Sequence, residues 1–346
     1  MTSQSARPVF IVGSPRSGTT WLYHLLLSSG GFAIYRSETQ FYSRFGPSFG
    51  WMRRSVDRRA FLDHWLRSEF FLRAGLGIDE FRDAAIEAPR STGEFLRLFM
   101  DRICQVQGAE RWADCTPDHG LYIREIKREF PDALFIHMHR DGRDVAMSLA
   151  RQRFVPSFPW QHDTPEIAAA AYWSWTVRRV LKETRFLAAD YMEIRYESLV
   201  ESFDACLARL SEFLGRRMDS ARIQQSPIGA VTEPNTSFEG KTAGRARWQT
   251  DLDTRLLGRI ERIMAPELEE LGYDAETLTG QSFAGSHPLE RQLYALRWDL
   301  GKRIKDLGMA ARQLPELSVM TTGRVDEDPT LRPGENIEHI RSLVGR

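Results

Sequence analysis

The spacing of apolar and polar positions predicts strands and helices that alternate along most of the chain. Short runs of β-branched and aromatic residues are typical of buried strands, and they occur at 9–12, 133–138 and 191–196. Segments with apolar residues every three or four positions are predicted as helices: from 19 onward, 57–73, 91–107, 118–130, the turn and helix ending at Arg151, 165–189, 199–214 and 253–271. This alternation indicates an α/β fold of three layers around a central parallel sheet.

The same pattern predicts one main domain that carries an insertion. Residues 8–275 are assigned to the α/β domain, and residues 32–107 within it are assigned to a helical insertion near the substrate. Ser91 and Glu94 have the spacing of a capping box at the start of one helix of this insertion. The insertion is rich in aromatic residues, which suggests a partly apolar substrate pocket.

Two later segments have other patterns. Residues 222–250 are rich in Pro, Gly, Ser and Thr and are predicted as a long loop, and such loops are usually functional. One amphipathic helix is predicted at about 287–313, followed by a polar tail with Pro329 and Pro333. We interpret residues 276–346 as a C-terminal helical appendage.

Composition narrows the class of protein. The chain has 346 residues, 42% of them hydrophobic, which is enough for a substantial core. Its 47 basic and 47 acidic residues balance, so no global field favours nucleic acid or an anionic membrane. Cys104, Cys115 and Cys206 give neither a disulfide framework nor metal-ligand spacing.

The N-terminus lacks an apolar signal core, and no apolar stretch of membrane-spanning length follows. We therefore expect a cytoplasmic protein without a membrane anchor, a metal or a nucleic-acid partner. A homodimer is an open option.

The segment VFIVGSPRSGTTWL, residues 9–22, combines a strand, a tight turn and the start of a helix. Its Gly-x-x-x-x-Gly frame fits an ATP or GTP loop, but such loops continue with Lys and Ser or Thr, which serve a magnesium triphosphate. Here Thr19 stands in the lysine position, and the cation is Arg16. Backbone N–H groups from Arg16 to Thr20, at a helix N-terminus, predict a P-loop-like site for a different anion.

A second candidate anion site follows the strand at 133–138. The segment RDGRDVAMS, residues 140–148, is expected at the carboxyl edge of the sheet, where ligands of open α/β folds bind. Arg140 and Ser148 are separated by a turn and two helical turns, so both could reach one phosphate. In isolation this would be interpreted as a solvated charged turn, but two anion loops after two parallel strands favour binding.

Together these motifs resemble those of the sulfotransferases that use 3′-phosphoadenosine-5′-phosphosulfate (PAPS). In that family a PKSGTTW or PRSGTTW loop binds the 5′-phosphosulfate. The matching residues here are Pro15, Arg16, Ser17, Gly18, Thr19, Thr20 and Trp21. In the family an Arg followed eight residues later by a Ser binds the 3′-phosphate, and Arg140 and Ser148 match this pair.

Two further elements extend the resemblance over residues 8–272. A Tyr-Glu-Asp/Ser-Leu stretch matches Tyr196 to Leu199, where the resemblance implies an adenine contact by the tyrosine. A basic, glycine-containing loop that closes over the nucleotide corresponds to KTAGRARW. Its candidate nucleotide-binding residues are Lys241, Gly244 and Arg245.

The resemblance implies transfer of the sulfuryl group of PAPS to a hydroxyl or amine of a small-molecule, lipid or natural-product acceptor. A sulfuryl group carries less negative charge than a γ-phosphoryl group, so backbone donors and Arg16 can suffice without a metal. Arg16 would then act catalytically, by neutralising the charge that develops on the bridging oxygen as the phosphate leaves.

A hydroxyl acceptor also needs a general base. Glu38 is the first candidate because it lies 22 residues past Arg16, and in the heparan and tyrosylprotein branches of the family a glutamate at about this spacing is the base. Aromatic neighbours would exclude water from Glu38 and raise its pKa; they are Tyr35, Phe41 and Tyr42. The alternative bases, in the segment ADCTPDHG, are Asp114, Asp118 and His119.

The segment ADCTPDHG departs from the family pattern, since many members have a lysine where this chain has Cys115. That lysine helps to neutralise the sulfuryl group. Either Arg16 carries the role alone, Lys241 or Arg245 supplies the charge, or the activity is modest. Cys115 could instead be a nucleophile, but a lone cysteine without a base partner is more often structural.

Two other interpretations stay open. One is a P-loop kinase-like phosphotransferase with a degenerate loop, in which Asp114 would hold magnesium; the missing lysine disfavours it. The other is a nucleotide-binding module without catalysis. Ligand preference would separate them, because a ligand that binds only the folded state raises its stability.

Overall fold

The computed structural model has a parallel β-sheet at its centre. The structure describes residues 7–157, 162–225, 228, 246–278, 289–307, 341–342 and 344–345. Within these ranges the sheet has four strands in the order β2-β1-β3-β4, all paired in parallel. The strands are β1 (Val9–Val12), β2 (Ala113–Asp114), β3 (Leu134–His139) and β4 (Tyr191–Arg195).

Helices connect and cover the strands. They are α1 (Thr19–Ser28), α2 (Ser55–Trp65), α3 (Ile78–Glu87), α4 (Thr92–Gln107), α5 (Ile123–Glu129), α6 (Gly142–Arg151), α7 (Pro165–Thr184), α8 (Tyr196–Glu201), α9 (Phe203–Leu214), α10 (Ser220–Gln225), α11 (Trp248–Asp251), α12 (Thr254–Glu270) and α13 (Leu289–Asp306). Shorter helical turns lie at Phe41–Phe45, Gly46–Ser48, Gly50–Met52, Glu69–Leu72, Pro117–Leu121, Ala188–Asp190 and Glu276–Leu278.

The alternation of side chains along β1 divides the core into two sides. Val9 and Ile11 pack with apolar residues of α1 and α9, whereas Phe10 and Val12 pack with the insertion. A third cluster joins α6, α7, α12 and α13. The expected three-layer α/β fold around a parallel sheet is confirmed.

Element boundaries follow the sequence pattern closely, with local differences. The predicted helix at 57–73 is interrupted between α2 and a short turn at Glu69–Leu72, and the predicted helix at 118–130 begins as a 3-10 turn. Strand β2 was not predicted, because two residues are too short to show a period.

The capping box of α4 is formed in part. The Glu94 N–H donates to Ser91 Oγ at 3.2 Å, as predicted. The carboxylate of Glu94 accepts from the N–H of Arg90 at 2.7 Å, one residue before the expected partner.

The aromatic residues of the insertion form a core of their own. The buried rings are Phe41, Phe45, Phe61, Trp65, Phe70, Phe71, Phe81, Phe95 and Phe99. Phe61 and Trp65 are stacked with centroids 5.0 Å apart, and Phe99 meets Trp65 edge-on at 4.9 Å. These rings stabilise the insertion by mutual packing, and Phe81 also lines a small surface pocket with Leu76 and Val106.

Helix α13 of the predicted appendage packs on the main domain. Arg291 makes a buried ion pair with Glu267 of α12 at 2.6 Å, and Tyr294 is fully buried. The boundary at residue 275 stays a prediction. Among the described residues, no helix combines the length and apolarity needed to cross a bilayer.

Candidate active site

The loop between β1 and α1 has the features of an anion site. Gly18 is the N-cap residue of α1 and lies in the left-handed region at φ 97°; the helix has no side-chain cap and no acidic residue in its first turn. The positive end of the helix is therefore left to an external anion. Ser17 Oγ is buried and has no hydrogen-bond partner among the described residues. Arg16 also adopts a positive φ, of 73°, a strained conformation that is common at binding sites.

Two glycines of this loop are required by close contacts. A Cβ on Gly13 would lie 2.3 Å from the carbonyl oxygen of Met138 in β3. A Cβ on Gly18 would lie 2.6 Å from the ring of Tyr196. The loop is thus pressed against β3 and against the residue that follows β4.

The two predicted anion motifs meet in the fold. Arg16 Nε donates to Ser148 Oγ at 3.1 Å, although 132 positions separate the two residues. Burial lowers the pKa of the Arg16 guanidinium, and the nearby positive charge of Arg140 lowers it further. Two guanidinium groups this close repel each other, so an anion between them would be stabilised.

Tyr196, from the third motif, contacts residues of both predicted anion motifs. Its ring is fully buried, lies edge-on to Trp21 at 5.7 Å, and is covered by the Arg140 guanidinium at 4.5 Å. These contacts position Gly18 and Arg140 relative to each other. The adenine contact implied for Tyr196 stays a prediction.

Glu197, the next residue of the same motif, links the ends of β3 and β4. The Asp141 N–H donates to Glu197 Oε1 at 3.0 Å, and the Tyr273 hydroxyl donates to Glu197 Oε2 at 2.9 Å. The glutamate of this motif therefore holds the turn after Arg140 in place.

Asp144 is a site residue that the sequence interpretation did not single out. Its Oδ1 accepts from the N–H groups of Arg247 and Trp248 at 3.0 and 3.3 Å, and its Oδ2 lies 3.5 Å from Arg140. Burial raises the pKa of Asp144 to about 6, against the lowering effect of Arg140. In the sequence, the one signal for these contacts is the position of Asp144 in a charged turn beside Arg140.

Asp144 thereby ties α6 to Arg247 and Trp248, the last two residues of the predicted closing loop. The Arg143 guanidinium lies 3.6 Å from the centre of the Trp248 ring, which reinforces the same link. Lys241, Gly244 and Arg245 themselves lie outside the described residues.

Asp114 and His119 form a buried pair that other polar groups surround. The N–H of Tyr42 donates to His119 Nε2 at 3.2 Å, which places the imidazole proton on Nδ1, 2.7 Å from Asp114 Oδ2. Thr39 and Thr116 also donate to Asp114, each at 2.8 Å.

Burial alone would raise the pKa of Asp114, but His119 and the two hydroxyl groups hold it below the ordinary value. A low pKa and engaged ring nitrogens disfavour both Asp114 and His119 as the base.

Glu38 and Asp118 remain as candidate bases. Glu38 is solvent-exposed and accepts a hydrogen bond from Gln40 Nε2 at 3.2 Å. The surrounding protein still desolvates its carboxyl, which is the main reason why the pKa of Glu38 is raised, and Asp118 and Asp114 add to the effect. Asp118 accepts from the hydroxyl of Tyr172 at 3.3 Å.

The aromatic residues expected around Glu38 are buried elsewhere. Tyr35 donates to the carbonyl of Phe70 at 2.8 Å, and Tyr42 donates to Glu129. Desolvation by the surrounding protein is still the main reason why the pKa of Glu38 is raised, and the charges of Asp118 and Asp114 raise it further.

Cys115 lies behind the loop, within hydrogen-bond reach of the Thr19 hydroxyl. Burial raises the pKa of its thiol well above the ordinary value, so the thiol stays protonated. A nucleophilic role is disfavoured, because the thiolate is the reactive form.

A cleft of about 370 Å³ lies between the insertion, α5 and the end of α13. Its lining is largely polar and includes Tyr42, Trp51, Arg53, Arg128, Glu129 and Asp306. Tyr42 donates its N–H to His119, next to Asp118 in the sequence. Lys305, next to Asp306, is also close to Asp118: burial lowers the pKa of Lys305, and the negative charge of Asp118 partly opposes this effect. The cleft is thus close to the segment that contains Asp118.

Comparison with known proteins identifies the family. Residues 8–220, more than half of the chain, match the model described as the sulfotransferase family. The chain belongs to this family.

The relatives found by sequence are distant. A provisionally named protein-tyrosine sulfotransferase of Caenorhabditis briggsae is 24% identical over 293 residues, covering 80% of this chain and 92% of the relative. A protein of Caenorhabditis elegans with the same provisional name is 25% identical over 175 residues, covering 48% of this chain and 66% of the relative.

Solved structures of sulfotransferases are also similar to the chain. The sulfotransferase domain of the Synechococcus PCC 7002 olefin synthase aligns with a TM-score of 0.47 and 18% identity, covering 86% of this chain and 97% of that one. Sulfotransferase STF9 from Mycobacterium avium aligns with a TM-score of 0.46 and 19% identity, covering 78% of each chain.

Proposed function

We propose that the protein is a PAPS-dependent sulfotransferase that acts on a hydroxyl or amine of a small-molecule, lipid or natural-product acceptor. The observation that carries the proposal is the convergence of Arg16, Arg140 and the unpartnered hydroxyl of Ser17 at one helix N-terminus. Two adjacent cations and an unsatisfied buried donor fit a ligand with two separate phosphate groups.

The donor, when bound, supplies an activated sulfuryl group. The chain's own contribution is charge and position: Arg16 and the N–H groups at the start of α1 stabilise negative charge on the departing phosphate. Arg140, with Ser148, holds the 3′-phosphate. Thr19 and Thr20 follow Gly18 in the first turn, where their hydroxyl groups add donors.

Glu38 accepts the acceptor's proton in this proposal. As the bond from the acceptor oxygen to sulfur forms, the bond from sulfur to the bridging oxygen breaks, and the proton passes to the Glu38 carboxylate. A raised pKa makes Glu38 a stronger base than an ordinary glutamate. Asp118 is the alternative base, because its carboxylate is close enough to Glu38 to raise the pKa of Glu38. The hydroxyl of Tyr172 donates to Asp118 and would hold it in position.

We place the acceptor's entrance at the polar cleft bounded by Tyr42, Trp51 and Asp306. We also propose a cytoplasmic location, since the three cysteines are free and a reducing compartment suits them.

Ligand-dependent stability tests the donor. We expect 3′,5′-adenosine bisphosphate to raise the melting temperature in the presence of EDTA, and Mg-ATP to have little effect. The opposite preference would support the kinase-like alternative. Turnover of candidate acceptors with labelled PAPS, followed by mass spectrometry of a sulfated product, then separates an enzyme from a binding module.

A further inference from the structure

A row of exposed apolar side chains runs along the outer face of α13. We call it the leucine row; its members are Leu289, Leu293, Leu296, Leu300, Ile304 and Leu307, each between 38% and 74% exposed. Other large apolar side chains that are comparably exposed in the described ranges are scattered: Val56, Ile78, Phe154 and Phe186. Scattered exposed residues are normal, whereas a contiguous row marks an interaction surface.

The opposite face of α13 is fixed to the main domain along its length. Arg291 pairs with Glu267, and Trp298 packs edge-on against Tyr172 with centroids 5.1 Å apart. At the last turn the Tyr122 hydroxyl donates to Asp306 at 3.0 Å. Rotation of the helix to bury the leucine row would break these contacts, so the row is held on the outer face of the main domain.

The spacing of the leucine row indicates what covers it. Successive members are separated by four, three, four, four and three residues. At about 100° per residue they fall within an arc of about 80°, narrower than the stripe of a helix that packs on a globular core. The exposed side chains of Arg297 and Arg303 bound this arc. Such a narrow seam is typical of two helices paired in a coiled coil.

We propose that α13 pairs with α13 of a second copy of this chain in an antiparallel two-helix seam. The spacing is nearly symmetric about residue 298, so Leu289 lies opposite the partner's Leu307 and Leu296 opposite the partner's Leu300. Leu293 then lies opposite the partner's Ile304. The helix spans about 27 Å, and the seam buries every member of the leucine row in a closed, two-fold interface.

The sequence that follows α13 is a poorer complement. Residues 308–340 contain Pro315, Pro329 and Pro333 and have no uninterrupted apolar heptad. A second copy supplies the matching spacing by identity.

Sedimentation velocity on the full chain tests this proposal. The wild type should be a dimer, and the double variant Leu296→Glu/Leu300→Glu should have a dimer dissociation constant about 100-fold higher or more, since unpaired charges enter an apolar seam. The matched control, Val56→Glu/Ile78→Glu, changes two exposed apolar residues elsewhere and should stay dimeric. Mixing the Glu variant with Leu296→Lys/Leu300→Lys should restore a dimer.

Two results would overturn the proposal. The first is a monomeric wild type; if that monomer sediments with vesicles of anionic phospholipid through the leucine row, the row belongs to a membrane surface. The second is a dimer that the Leu296→Glu/Leu300→Glu variant retains. Melting temperatures measured alongside establish that each variant is folded.

Discussion

At the scale of single residues, the proposed general base is Glu38, a carboxyl whose pKa is raised mainly by desolvation. Because a base must be ionised, the rate should fall as the pH drops through the raised pKa of Glu38, so the acid limb of the kcat profile should lie above the usual pKa of a glutamate. We expect Glu38→Gln to lower kcat by about 10²–10⁴-fold and to leave the affinity for 3′,5′-adenosine bisphosphate unchanged. Steady-state kinetics and calorimetry measure the two quantities.

Asp118→Asn is the matched control for this change. Near-normal kcat in Glu38→Gln, combined with loss of kcat in Asp118→Asn, would assign the base to Asp118. A higher acceptor KM at constant kcat would instead make Glu38 a binding residue.

Arg140 should distinguish nucleotides by their 3′-phosphate. We expect Arg140→Ala to weaken 3′,5′-adenosine bisphosphate by about 10-fold to 100-fold, the value of a charge-assisted contact. Adenosine 5′-phosphosulfate, which lacks the 3′-phosphate, should bind almost as before. The control is Arg151→Ala, which removes an exposed arginine of α6 that pairs with Asp251. Equal losses for both nucleotides would remove Arg140 from the 3′-phosphate site.

At the scale of elements, Asp144 connects α6 to α11. Its folded-state pKa of about 6 is higher than that of an unfolded aspartate, so it contributes stability when protonated and loses that contribution as the pH rises through about 6. Asp144→Asn removes this dependence but keeps an oxygen for the N–H groups of Arg247 and Trp248. Between pH 4.5 and 7.5 the free energy of unfolding of the wild type should therefore fall by about 2 kcal/mol relative to the variant.

Urea denaturation at several pH values measures this difference. Asp251→Asn is a suitable control, since the pKa of Asp251 is lowered, mainly by hydrogen bonds from Thr250 and Arg151. Parallel stability profiles for the wild type and Asp144→Asn would contradict a raised pKa at Asp144.

The ion pair between α12 and α13 should matter for stability because it is buried. Arg291 donates to Glu267 at 2.6 and 2.8 Å, and Ser174 donates to the same carboxylate at 2.7 Å. Arg291→Met would leave a buried carboxylate without its cation, so we expect a loss of about 3–5 kcal/mol in the free energy of unfolding. The double variant Arg291→Met/Glu267→Gln should recover part of it. A loss below about 1 kcal/mol, measured by urea denaturation, would mean that the ion pair contributes little and that the other contacts of α13 hold it in place.

The sequence predicted elements and motifs whose parts are close along the chain. The strand, loop and helix around Gly18 are consecutive, and the apolar spacing of a helix or a strand is visible within each element. Contacts between distant residues were not predictable: Arg16 with Ser148, His119 with Tyr42, and Asp144 with Trp248 each depend on how the sheet brings loops together. The sequence alone left four candidate bases. The structure disfavours two of them, because Asp114 and His119 are engaged with each other.

At the scale of the whole molecule, α13 lies between the proposed dimer seam and the cleft. Its outer face carries the leucine row, and Asp306 at its end accepts from Tyr122 and from Trp51 Nε1, which lines the cleft. A helix that is supported on one face only is more easily released locally than one packed on both. Dimerisation should therefore stabilise the wall of the cleft.

We expect the monomeric variant Leu296→Glu/Leu300→Glu to have a higher acceptor KM than the wild type, by several-fold, with kcat largely retained. The reason is that the variant loosens α13 at the proposed acceptor entrance, while Arg16 and Arg140 lie on other elements. The affinity for 3′,5′-adenosine bisphosphate should be unchanged, and Val56→Glu/Ile78→Glu should match the wild type in both measurements. Steady-state kinetics below the dimer dissociation constant of the wild type provide a further check, since dilution alone should then raise KM. An unchanged KM in a variant shown to be monomeric would mean that the seam and the cleft are independent.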